Sequence, residues 1–192
     1  MNPTTAAEAD WGAGVAEAPD PADESLMLAY AAGDAAAFEP LYRRHKDALY
    51  RYFLRHVDAA DASELFQDVW RNLVNARARY RPDAPFRAWL FALAHNRLMD
   101  HFRRSRPGAE LNDMMPADAT LQPEAIAQRQ QTVGRVLSAL NALPLEQREI
   151  IVLREERELT LEQIAQIQGV GRETVKSRLR YALAKLREVL DE

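Results

Sequence analysis

The sequence predicts an all-α protein built as two small helical domains, on three observations. Glycine is scarce at 7 residues in 192, no stretch alternates apolar and polar residues for long, and apolar residues recur at three- and four-residue steps in every long segment. That spacing gathers side chains on one face of a helix and would scatter them across both faces of a strand. The 47% hydrophobic content is enough for real cores. The absence of cysteine excludes disulfide scaffolds, thiolate metal sites and thiol nucleophiles.

Residues 1–25 come first and hold six acids (Glu8, Asp10, Glu17, Asp20, Asp23, Glu24) and no Lys or Arg among Ala, Gly and Pro. This is the composition of a disordered acidic arm. It hides the character of the rest: six fewer acids turn the formal charge of −4 into +2. Helices are predicted over 25–32, 35–56, 59–78 and 85–104, giving a first domain at 26–104 that carries 13 bases against 9 acids. Residues 105–124 follow, where Pro107, Gly108, Pro116 and Pro123 discourage continuous helix and Arg106 faces four acids, the pattern of a flexible linker. Further helices at 123–142, 145–155, 161–168 and 172–190 make up a second domain at 125–192.

The second domain has the clearest local signal. Thr160 with Gln163 three residues on is a capping box, so a helix starts there, with Leu161, Ile164, Ala165 and Ile167 as its inward stripe. Gly169 and Gly171 supply a short turn before a second helix opens at Arg172, which is helix-turn-helix spacing. At about 100° per residue, Val175, Leu179, Ala182, Leu183 and Leu186 gather on one side of that helix and the polar residues point elsewhere. Residues 172–187 hold six bases and one acid, suited to phosphates and guanine edges in a major groove.

Leu143-Pro144, Gln147-Arg148-Glu149, Leu161 to Ala165 and Thr174 to Leu179, in that order, resemble the promoter-reading C-terminal domain of bacterial extracytoplasmic-function (ECF) sigma factors of the sigma-70 family. The resemblance implies that the second helix enters the groove of the minus-35 promoter element, with Arg172, Glu173, Thr174, Lys176, Ser177, Arg178 and Arg180 as contacts. Gly171 stands where the family has Ser or Pro, a change that an N-cap tolerates.

The first domain resembles the same family independently. Asp61 to Trp70 is similar to the segment by which sigma factors hold a coiled coil of the polymerase largest subunit, which implies polymerase contacts from Asp61, Glu64, Leu65, Gln67, Asp68, Trp70 and Arg71. Helical spacing turns Leu65, Phe66, Val69 and Leu73 inward and leaves Glu64, Gln67, Asp68 and Arg71 for polar contact. Tyr80 to Leu90 and Ala94 to Arg104 resemble the minus-10 recognition and melting region. On that resemblance the loop Pro82, Asp83, Ala84 captures an extruded base, while Arg87, Asn96, Arg97, Asp100, Arg103 and Arg104 hold the separated strand. A pocket of backbone and small side chains can compensate a base for lost stacking while cations hold the flanking phosphates. Trp89, beside Phe86, Leu90 and Leu93, is assigned to the core.

The resemblance covers residues 26–190 and implies core RNA polymerase, promoter DNA and an anti-sigma protein as partners. On the same basis the protein is a non-catalytic specificity subunit, and no Gly-rich phosphate loop, nucleophile elbow or His-Glu zinc motif argues for an active site or a small-molecule substrate. His45, His56, His95 and His101 do not form a facing ligand set, so neither metal nor cofactor is expected. No apolar run approaches the roughly 18 residues that span a bilayer, and the start lacks a secretory pattern, so the expected location is cytoplasmic without membrane insertion. A dimeric helix-turn-helix regulator that works without polymerase would need a dimerisation surface, and no long heptad seam offers one. A helical adaptor that never touches DNA is the third class, and loss of promoter binding on Arg178→Ala and Arg180→Ala would count against it.

Overall fold

The computed structural model describes residues 20–105 and 134–191. The first of these stretches folds as four helices: α1 (Asp23–Ala31), α2 (Phe38–Leu54), α3 (Ala59–Ala76) and α4 (Phe86–Ser105), with single 3-10 turns at Ala35–Ala37 and Arg77–Arg79. The second adds α5 (134–141), α6 (Leu145–Ile151), α7 (Leu161–Gln168) and α8 (Arg172–Asp191). No strand occurs among the described residues. Most of the predicted linker and the arm up to residue 19 lie outside them.

Local side-chain acceptors start α3 and the 3-10 turn that leads into α2, whereas α1 and α2 themselves begin without a side-chain cap. Asp34 accepts from the amide of Ala36 at 3.0 Å and Asp58 from that of Asp61 at 3.0 Å, satisfying amides that a helix start leaves unpaired. The α4 start has a tertiary cap instead, the carboxylate of Glu24 accepting from the Phe86 amide at 2.8 Å. Inward stripes follow the helical period, with Leu41, Leu49, Tyr52 and Phe53 buried on α2, Leu65, Val69 and Leu73 on α3, and Phe91, Ala94, Leu98 and Phe102 on α4.

The predicted arm ends too late. Asp23, Glu24 and Ser25 belong to α1. Arg44 of α2 pairs with Asp20 at 2.6 Å and with Asp23 at 2.5 Å, and His45 meets Asp23 at 2.6 Å. Burial pushes the Asp23 carboxyl up, but the hydrogen bonds and charges of Arg44 and His45 outweigh it and hold the group below the usual carboxylate range. Three of the six acids counted as solvated thus have structural partners that composition does not disclose.

In the second bundle α7 and α8 cross through the expected short turn. The Thr160 hydroxyl accepts from the Gln163 amide at 3.2 Å and the Gln163 side chain accepts from the Thr160 amide at 2.9 Å, completing the capping box. Gly169 closes α7 at φ +65, a left-handed conformation that side chains resist. Thr160→Ala removes one half of the box and should cost about 1 kcal/mol, read as a fall of a few degrees in melting temperature. The predicted helix 145–155 instead relaxes into a π turn at Val152–Glu156, and Glu158 turns left-handed at φ 53. The widened turn leaves Val152, Leu153 and Leu159 all buried.

Candidate polymerase and nucleic-acid interfaces

The predicted polymerase face lies on α3, and the structure divides its seven residues. Glu64, Gln67 and Arg71 are exposed and Asp61 is half-exposed. Leu65 and Trp70 are buried at 1% and 6% exposure, so they shape this face from beneath rather than form it. The Trp70 ring meets Phe38 edge-on at 5.6 Å and lies 4.9 Å from Tyr42. Tyr42 is exposed, and with half-buried Phe66 and Tyr50 it extends the face onto α2 as an aromatic patch. Sequence reasoning missed these residues, although Phe38, Tyr42 and Tyr50 share one side of α2.

Asp68 is mostly buried and sits between two cations, accepting from Arg71 at 2.7 Å and pairing with Arg97 of α4. Arg97 also reaches Glu64 at 3.8 Å, and His101 reaches Asp61 at 3.4 Å. Residues predicted for polymerase therefore tie directly to residues predicted for DNA. A polar cleft of about 190 Å³ runs along this seam, lined by Glu64, Arg97, His101, Arg104 and Ser105.

On the predicted minus-10 side, Pro82 and Asp83 are exposed and Ala84 is half-buried in the turn before α4. Beneath the turn, Tyr80 is 2% exposed and its hydroxyl has no hydrogen-bond partner. Burial, then the charges of Glu24 and Asp23, push it up to about 12, so it stays a neutral donor in this neighbourhood. Trp89 stacks edge-on to Tyr80 at 5.1 Å, half-buried against the core. Asn96, Arg103 and Arg104 are exposed along α4, and Asp100 holds Arg103 at 2.8 Å. Arg87 pairs with Glu158 of the second bundle at 3.5 Å.

On α8 the polar side opens outward as expected. Arg172, Glu173, Thr174, Lys176 and Arg180 are exposed, while Val175 and Ala182 are buried and Leu179, Leu183 and Leu186 are half-buried. Arg172 is held by Glu162 of α7 and by Glu173 at 3.2 Å, which orients the first base of the helix. Lys176 pairs with Glu173 at 3.7 Å, and Arg180 lies over the Tyr181 ring at 5.3 Å. Arg178 differs: it is half-buried and donates to the Gln168 side chain at 3.2 Å, bracing α8 on α7. Ser177 is half-buried beside Arg180.

Among the described residues no helix is long and apolar enough to cross a membrane. What the surface offers is a stripe of cations at four-residue steps on an open helix, a second set of cations on α4, and a mixed aromatic and acidic face on α3.

Comparison with known proteins agrees on both halves. Residues 41–107 match the family model for Sigma-70 region 2, and residues 139–188 match the model for Sigma-70, region 4. The chain is 35% identical over 172 residues to ECF RNA polymerase sigma factor SigM of Mycobacterium tuberculosis, covering 88% of this chain and 84% of that one. It is 33% identical over 184 residues to RNA polymerase sigma factor CnrH of Cupriavidus metallidurans, covering 90% of this chain and 96% of that one. The solved structure of CnrH in complex with the cytosolic domain of CnrY superposes with a TM-score of 0.67 at 30% identity, over 89% of this chain and 98% of that chain. Two helical regions in the family's order, each with its own match, mean that the chain belongs to the ECF sigma factors of the sigma-70 family.

Proposed function

We propose that the protein acts in the cytoplasm by binding core RNA polymerase through the outer edge of α3, reading a minus-35 element with α8 and a minus-10 element with α4, and promoting strand opening. The polymerase performs the catalysis. The observation that carries this reading is the pairing of an open basic recognition helix in one bundle with a separate cationic helix, α4, beside an exposed proline-bounded turn in the other.

Domain limits at 26–104 and 125–192 suit this division of labour, with 105–124 as the tether. Arg172, Lys176 and Arg180 recur every fourth residue, so they line one side of α8 and can follow one wall of a groove. Glu173, Thr174, Ser177 and Arg178 complete the assigned set, with Arg178 positioning the helix rather than meeting a base. At the other element, Pro82, Asp83 and Ala84 offer a stiff turn above Tyr80, and Arg87, Asn96, Arg97, Asp100, Arg103 and Arg104 line the way along α4. An anti-sigma protein is the further partner that the family resemblance implies, and the solved complex of CnrH with the cytosolic domain of CnrY supports a protein partner for this chain.

The test is transcription with purified components. Core polymerase with this chain should initiate at discrete promoters and protect two separated stretches of DNA, and the affinity should fall steeply with salt because phosphate contacts release counterions. Protection by the chain alone, as a dimer and without polymerase, would replace this reading with that of a conventional helix-turn-helix regulator.

A further inference from the structure

The turn assigned to base capture, residues 81–85, is exposed along most of its length, but both of its ends are sunk in the core. Tyr80 before it is 2% exposed and Phe86 after it is 0% exposed. Pro82 and Pro85 each fix a φ angle and steer the preceding residue away from helical backbone, so the turn moves as one stiff piece. Its place is therefore decided at its two feet.

At the far foot, α4 starts without a local cap. Pro85, the residue before it, has no side-chain acceptor, and its carbonyl takes the amides of Ala88 at 2.9 Å and Trp89 at 3.3 Å. The Phe86 amide lies too early in the helix to find such a partner. Glu24 of α1 supplies one at 2.8 Å from 62 residues away. The same carboxylate acts on the near foot, where burial, then the charge of Glu24 and less that of Asp23, push the Tyr80 phenol up to about 12.

Helix α1 is itself a fixed strut. Leu26 and Met27 are buried, Asp23 is held by Arg44 and His45 of α2, and Arg77 lies over the Tyr30 ring at 5.7 Å towards the other end of the helix. The His45 ring also meets that of Phe86 at 5.1 Å. A helix of 20 residues with a buried stripe, such as α4, forms without any single capping bond. What the Glu24 bond decides is where the first turn of α4, and the loop that leads into it, sit against α1.

We propose that Glu24 is a positioning residue for base capture: from α1 its carboxylate fixes the start of α4 and with it the Pro82–Pro85 turn, so the choice of base depends on the reach of a side chain on another helix. This rests on the minus-10 reading above. A binding constellation works only while it is held within about 0.5 Å of its productive geometry, so loss of this tie blunts base choice before it harms the fold.

The test uses the full chain assembled with core polymerase, and single-stranded oligonucleotides carrying the minus-10 stretch of a promoter from which it initiates, each position changed in turn. The parent should prefer its own base at the captured position about tenfold or more. Glu24→Ala should bring that preference close to one, with affinity for core polymerase unchanged and the melting temperature within about 3 °C of the parent. Glu24→Gln keeps an acceptor at the same reach and should retain the parent's preference. Glu24→Asp keeps the charge but withdraws the acceptor by about 1.5 Å, one carbon–carbon bond, beyond hydrogen-bond range, and should match the alanine variant. It also answers if Glu24→Ala misfolds. Asp34→Ala removes a cap elsewhere in the same bundle, and should lower the melting temperature with base choice intact. Full preference in the alanine and aspartate variants, loss of it in Glu24→Gln or in Asp34→Ala, or polymerase affinity falling in step with base choice would each overturn the positioning role. A parent holoenzyme that prefers no base at any position would instead overturn base capture by this turn, and the role of Glu24 with it.

Discussion

Replacing Lys176 and Arg180 by alanine together should reduce initiation at a minus-35-dependent promoter about 100-fold or more, while the melting temperature stays within about 2 °C of the parent. Both side chains are exposed and one helical turn apart, and their partners, Glu173 and the Tyr181 ring, are exposed too. Exposed pairs of this kind add little to stability, on the order of 0.5 kcal/mol, whereas a well-placed base contact contributes roughly 1–3 kcal/mol. Measuring the promoter affinity of the holoenzyme against salt separates the two possible roles. A cation that neutralises a phosphate lowers the salt slope by about one and weakens all sequences alike, while one that reads a guanine relaxes the choice at a single base pair. Arg178→Ala should behave differently, lowering the melting temperature with the slope unchanged, because its guanidinium braces α8 against Gln168. Equal promoter activity in the double variant and the parent would remove α8 from DNA recognition.

Most of this architecture is legible in the sequence because local rules decide it. The Thr160–Gln163 box, the left-handed Gly169 and the inward stripes of α3, α4, α7 and α8 follow from hydrogen-bond geometry and a 3.6-residue period, neither of which needs knowledge of distant residues. What sequence could not supply is long-range. Glu24 sits in an acidic, alanine-rich run, yet it caps a helix 62 residues away. Glu149 belongs to a motif that resembles a region of one domain, and its deepest contacts lie in the other. The π turn at Val152–Glu156 arises where a regular helix pattern yields to packing around Leu153 and Leu159. The candidate interfaces divide in the same way. Period alone places Glu64, Gln67 and Arg180 on the surface, but only the packed structure distinguishes them from Trp70 and Arg178, whose side chains are taken up by neighbours.

Charge reversal along α3 should separate surface recognition from internal support. Glu64→Lys changes a side chain that is 72% exposed and 3.8 Å from Arg97, so it should weaken binding to core polymerase about tenfold or more and shift the melting temperature by no more than about 2 °C. Asp68→Lys looks equivalent in sequence, where one would expect reduced assembly with the fold intact. Its side chain is only 13% exposed and lies between Arg71 and Arg97, so the substitution sets three cations around one site. Removing one partner from a mostly buried pair costs about 3 kcal/mol, on the order of 10 °C in melting temperature for a chain of this size. Arg97, freed from α3, would then no longer be held where α4 is proposed to meet the separated strand, so promoter opening should fall along with polymerase affinity. Asp68→Asn keeps a hydrogen-bond acceptor without the added charge, and should recover much of the stability without restoring the ion pair. Thermal melting beside equilibrium binding to core polymerase decides among these outcomes. Unchanged polymerase affinity in Glu64→Lys and in the exposed neighbour Gln67→Lys would take the polymerase contact away from α3, whatever Asp68 does to the fold.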